Sequence, residues 1–113
     1  MNRIVHICLP QAWEAAQRSG EYRADSLERE GFIHCSTWEQ IPGVMDRFYA
    51  DVEYLLLLNI DPSKVTAEIR WEVVDGDTFP HIYGSLNIDA VNEVIPFSAD
   101  VDGAHHKLPE APE

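Results

Sequence analysis

The chain has little cysteine: only Cys8 and Cys35, too few for a disulfide framework and without the CxxC spacing of a metal or redox motif. Both read as buried reduced thiols of a cytoplasmic protein. Long apolar runs are also missing. The longest, Tyr54–Leu58, is strand-length and excludes a membrane-spanning helix. The opening MNRIVHICLP has no extended apolar region and no small-residue cleavage site, so export is not expected. Basic residues are scarce, 8 against 20 acidic, for a formal net charge of -12. That charge would repel a phosphate backbone, so neither nucleic acid nor a membrane is an expected partner. A protein partner is not specified by the sequence. No HxxxH, HxH or CxxC occurs, and no metal is assigned; a metal-dependent hydrolase is the weakest of the functional readings.

What is present suits one domain. The 113 residues are 45% hydrophobic and 10% aromatic, enough for a single core. Residues 1–98 carry the periodic patterns, and 99–113 form an acidic tail rich in proline and small residues that is expected to be flexible. Residues 4–9 alternate, with Ile4, His6 and Cys8 on one side and Val5, Ile7 and Leu9 on the other, as in a strand. Pro10 opens a helix that Gly20 ends. Asp25 and Glu28 have capping-box spacing for a one-turn helix closed by Gly31. Thr37 and Gln40 repeat that spacing before a helix expected to run to about Ala50.

EYLLLLNI, residues 53–60, reads as the central strand of a sheet, apolar on both faces. In the next strand Ala67, Ile69, Trp71 and Val73 are assigned to the core and Glu68, Arg70, Glu72 and Val74 to the other side, before an Asp75-Gly76 hairpin turn. TFPHIYGSL follows as a strand, then a short helical turn and a last strand in AVNEVIPF. With helices in the first half and strands early and late, the fold class is α+β with mostly antiparallel pairing.

Three histidines interrupt these strand patterns. In GFIHCST, alternation puts Phe32, His34 and Ser36 on one face, and His6 and His81 lie in strand-like runs of their own. Neighbouring first and second strands would set His6 beside His34, with Ser36 or Thr37 at the open end and His81 and Tyr83 completing a wall. Each imidazole taken alone is more simply a satisfied structural residue. Cys35 points away from His34 and reads as an inert thiol. Arg47 and Arg70 suit either an anionic ligand or a surface ion pair, and Glu72 either catalysis or pairing with Arg70.

IVHI, SLEREGFIHCST, RFY, LLLLNID, RWE and FPHIYGSL together resemble the small bacterial family catalogued as domain of unknown function 952, over residues 4–97. The resemblance implies a fold similar to the ADP-ribosyltransferases, two packed, mostly antiparallel sheets with a cleft that takes NAD or a related nucleotide. It also implies a first-strand histidine, matched by His6, and a second-strand position near His34 and Ser36. Where such transferases carry a late glutamate, this chain presents His81 and Tyr83, with Glu72 ahead of the hairpin.

The expectation is therefore a cytoplasmic protein binding a nucleotide-like small molecule, with NAD as the substrate implied, in a histidine-lined cleft. His6, His34, His81 and Glu72 are the catalytic candidates; Ser36, Thr37, Arg47 and Tyr83 are the ligand-binding ones. The alternative is a noncatalytic interaction module whose histidines are structural.

Overall fold

In the computed structural model, which describes residues 3–49, 51–52 and 54–98, the chain folds as an α+β domain whose strand pairings are all antiparallel. Strand β1 (Ile4–Cys8) leads into α1 (Pro10–Ser19). Pro10 occupies the first turn, where its missing N–H costs no helix bond, and Gly20 closes the helix in the left-handed conformation. The turn directs β2 (Glu21–Tyr22) onto β7 (Leu86–Asn87).

Helix α2 (Asp25–Glu30) ends at left-handed Gly31 as expected, but its N-cap is Ala24 and not Asp25. Asp25 and Glu28 sit inside the first turn, where their charge favours the positive end of the helix dipole without forming a capping box. The second capping signal is realised: Gln40 Oε1 accepts from the Thr37 amide at 2.9 Å, opening a 3-10 turn over Trp38–Gln40 that continues as α3 (Ile41–Phe48). Ala50, the expected helix end, lies outside the described residues, as does the 99–113 tail. The three α-helices of the described residues thus fall in the first half, and none of the described helices is long and apolar enough to cross a membrane.

Among the described residues there are three sheets, not the two expected. The first has β4 (Tyr54–Ile60) between β1 and β8 (Val91–Ser98). Its central strand is apolar on both faces because it separates two cores. Leu56, Leu58 and Ile60 join Ile4, Cys8, Ile33 and Ile82 on one side. Leu55 and Leu57 join Val5, Ile7, Ile41, Met45 and Phe97 on the other. The short β2–β7 ladder is the additional sheet.

The remaining sheet has β6 (Asp77–Tyr83) between β3 (Ile33–His34) and β5 (Glu68–Val74). Asp75 and Gly76, both at positive φ, make the β5–β6 hairpin turn. The inward assignment on β5 holds only at its start. Ile69 packs on the core, whereas Trp71 is 49% and Val73 74% exposed, because this end of the hairpin projects past the core. Beyond His34 the Cys35 amide donates to the Pro80 carbonyl at 3.1 Å, and the chain then leaves for the first sheet, where Ser36 and Val5 exchange backbone bonds of 2.8 and 2.7 Å.

Candidate functional site

The face of β3-β6-β5 turned away from the core is polar and aromatic. Residues opposite one another in an antiparallel pair project to the same side, and both His34 and Arg70 are opposite His81. These residues form one row across the sheet. Glu68 is opposite Tyr83 and Glu72 opposite Phe79, which adds their side chains to the same face. Phe32, two residues before His34, completes it: its ring stacks on His81 at 4.2 Å and lies 4.8 Å from His34 and 5.2 Å from Tyr83.

Glu72 organises the group. Its Oε1 accepts from His81 Nδ1 at 2.8 Å and from the Tyr83 hydroxyl at 2.5 Å. A carboxylate that only accepts fixes the His81 proton on Nδ1, leaving Nε2 as the acceptor nitrogen of the neutral ring. The same bonds, Tyr83 first and His81 second, hold Glu72 below the usual carboxylate range, and the bond to Glu72 pushes Tyr83 above the usual phenol range. Arg70 donates to Glu68 at 3.0 Å, and its guanidinium lies 4.3 Å from the centre of the Tyr83 ring. The sequence-level pairing of Arg70 with Glu72 is thus replaced by Glu68 as hydrogen-bond partner. His34 meets His81 edge-on at 5.2 Å and bonds Glu30 at 2.8 Å. Its bond lowers Glu30. Of the two histidines, His34 is the open one and His81 is buried under Phe32.

His6 lies elsewhere. Strands β1 and β3 are not paired, so the expected side-by-side imidazoles do not form. His6 instead reaches the β3 backbone: its Nδ1–H donates to the His34 carbonyl at 2.5 Å, and its Nε2 accepts from the Tyr22 hydroxyl at 2.8 Å. Burial lowers His6 from 6.5 to about 4, so the ring is neutral at ordinary pH. Both nitrogens are occupied and the ring is buried, which makes His6 a brace behind His34.

The other expected residues are also dispersed. Ser36 is bridged to Val5 in the first sheet, and Thr37 caps the 3-10 turn. Arg47 pairs with Asp75 at the hairpin turn, 3.7 Å away, with both side chains exposed. The structure therefore gathers His34, His81, Glu72 and Tyr83, adds Arg70, Phe32 and Glu30, and sets His6, Ser36, Thr37 and Arg47 apart. Glu30 carried a readable signal, four residues before His34. Phe32 shared the face that alternation gave His34, but it was not counted among the candidates.

Burial pushes the Cys8 thiol up to about 12 and Cys35 further, and both are free. That matches inert thiols. Among the described residues no three His, Cys, Asp or Glu side chains are placed to hold one metal ion.

Comparison with solved structures gives protein CC0527 from Caulobacter crescentus, by X-ray crystallography, at TM-score 0.82 and 26% identity over 93% of each chain. Its solution NMR structure is similar to this chain at TM-score 0.78 and 28% identity, covering 91% of this chain and 90% of that one. No curated protein matches significantly. The profile of the family described as protein of unknown function (DUF952) matches residues 7–94, and the chain belongs to that family.

Proposed function

We propose that the outward face of β3-β6-β5 binds a nucleotide-like small molecule, NAD or ADP-ribose in type, and that His81 moves a proton there. The supporting observation is Glu72 Oε1 bridging His81 Nδ1 and Tyr83. A carboxylate on one ring nitrogen sets the tautomer and orients the ring, the arrangement a general acid or base needs. Arg70 offers the cation for a phosphate group, and His34, with its half-exposed ring, offers an edge for a base or sugar. Transfer of an ADP-ribosyl group belongs to this reading, as does the finer description of the fold as ADP-ribosyltransferase-like. The supports for the latter are antiparallel sheets, α-helices that among the described residues all lie in the first half, and histidines on β1 and β3.

The test is a titration of isotope-labelled protein with NAD and with ADP-ribose, following the ring signals of His34 and His81. Both are expected to shift, and Glu72→Gln is expected to weaken the effect while leaving the fold intact. Unchanged signals at millimolar ligand would overturn the proposal.

A second reading has its own observation. His6 is fully satisfied by the His34 carbonyl and Tyr22, and His81 is buried beneath Phe32, as structural histidines would be. On that reading the protein is a noncatalytic interaction module. His34→Ala would then retain full stability yet lose a protein partner, and no nucleotide would raise the melting temperature.

A further inference from the structure

Strand β5 lies at the end of its sheet, and among the described residues nothing pairs with its second edge. Natural edge strands are blunted by brevity, charge, proline or bulges, because a bare row of N–H and C=O groups recruits another strand. Of these, this edge has only charge, and it is of both signs: Glu68, Arg70 and Glu72. Seven residues long and without proline, it carries Trp71, Val73 and Val74 at 49%, 74% and 40% exposure.

The hydrogen-bonding direction of each β5 residue follows from Pro80. The Pro80 carbonyl is taken by Cys35 on the β3 side. Trp71, opposite Pro80, therefore turns its own N–H and C=O away from β6. By alternation Ile69 and Val73 do the same. A second strand arriving at this edge must bond these three residues.

We propose that β5 pairs antiparallel with β5 of a second copy of this chain, about a twofold axis at Trp71. Charge selects the register. Only odd-numbered residues present outward backbone groups, so the antiparallel registers nearest the middle of the strand centre on residue 70, 71 or 72. Centring on 70 opposes Arg70 to its own copy and Glu68 to Glu72, and centring on 72 opposes Glu72 to its own copy. Like charges directly opposite one another destabilise a ladder. Centring on 71 sets each Arg70 across from a Glu72. Both hydrogen bonds that Glu72 makes within its chain fall on Oε1, which leaves Oε2 to accept from the incoming guanidinium. On the other side of the ladder Trp71 meets its copy and Val73 meets Ile69, which covers the overhanging apolar end. The twofold uses both edges up and closes the assembly at two chains. Against association stands the charge of -12 on each chain, which salt screens.

Sedimentation at physiological ionic strength, from micromolar to millimolar chain, tests the pairing. The full-length protein is expected to pass from monomer to dimer. Val73→Pro deletes an outward N–H that the folded monomer does not use, and is expected to raise the dissociation constant about tenfold or more. Arg70→Glu is expected to weaken the dimer by a similar factor, and Arg70→Glu with Glu72→Arg to restore it. Trp71→Cys is expected to form an intermolecular disulfide on mild oxidation, whereas Cys8 and Cys35 are buried and stay reduced. A protein that remains monomeric at millimolar concentration overturns the proposal. So does a dimer indifferent to Val73→Pro, or a folded charge-swapped variant that does not reassociate.

Discussion

The two three-stranded sheets share their antiparallel pairing but not their surroundings. In β1-β4-β8 the middle strand has a core on each side, and every residue from Leu55 to Ile60 is buried. In β3-β6-β5 one side, with Ile33, Ile69 and Ile82, closes the first core, while the other keeps His34 and charged side chains in the open over a buried His81. The first sheet can do little but hold the fold together. The second has a face that apolar packing does not consume, and its candidate chemistry occupies that face.

Substitutions can break or sharpen this contrast. The largest effect is expected in the covered sheet: Leu58→Ala, fully buried in β4, should cost about 3 to 5 kcal/mol in urea unfolding. A cost below about 1 kcal/mol would mean that β4 is not the keystone its burial indicates.

Next is acid. The folded chain holds His6 at about 4 against 6.5 for a free ring, so the unfolded chain takes up the proton first as pH falls. The stabilisation is complete above pH 6.5 and drains away down to about pH 4, by about 3 kcal/mol in all. Glu72 and Glu30, also lowered, lose their contributions in the same direction at more acid pH. Unfolding curves for the native chain and for His6→Gln should therefore converge as pH drops through this window; parallel curves would remove His6 from the account.

Gly84 comes third. A Cβ there would stand 2.9 Å from the Ala67 Cβ, and Gly84→Ala is expected to cost about 1 to 3 kcal/mol by thermal melting, through displacement of the end of β6. The smallest effect belongs to the overhang. Val73→Thr should change monomer stability by no more than about 0.5 kcal/mol, and a larger loss would show that β5 is packed after all.

Local signals were legible in the sequence: the apolar run of β4, the Pro10 and Gly20 helix limits, the Asp75-Gly76 turn and the Thr37–Gln40 box all act within a few residues. The site depended on pairings between distant segments. His34 and His81 meet only because β3 joins β6, a register that neither segment specifies alone. Alternation ranked the β5 faces by polarity, and so sent Trp71 and Val73 inward although no core extends that far. The same rule grouped Ser36 with His34, but the chain changes sheets between them. His6 was recognised as a polar residue inside a strand, but of its two partners one is a main-chain carbonyl, which leaves no mark on the sequence, and the other, Tyr22, is 16 residues away.

That change of sheets falls at one residue. Because Pro80 has no amide hydrogen, the bond from Cys35 to its carbonyl cannot be answered by one in return, and the β3–β6 zipper jams there. The strand released at that rung is the one that fastens onto β1. A single imino acid thus marks the fork at which one short ribbon laces the covered sheet to the sheet that carries the candidate site.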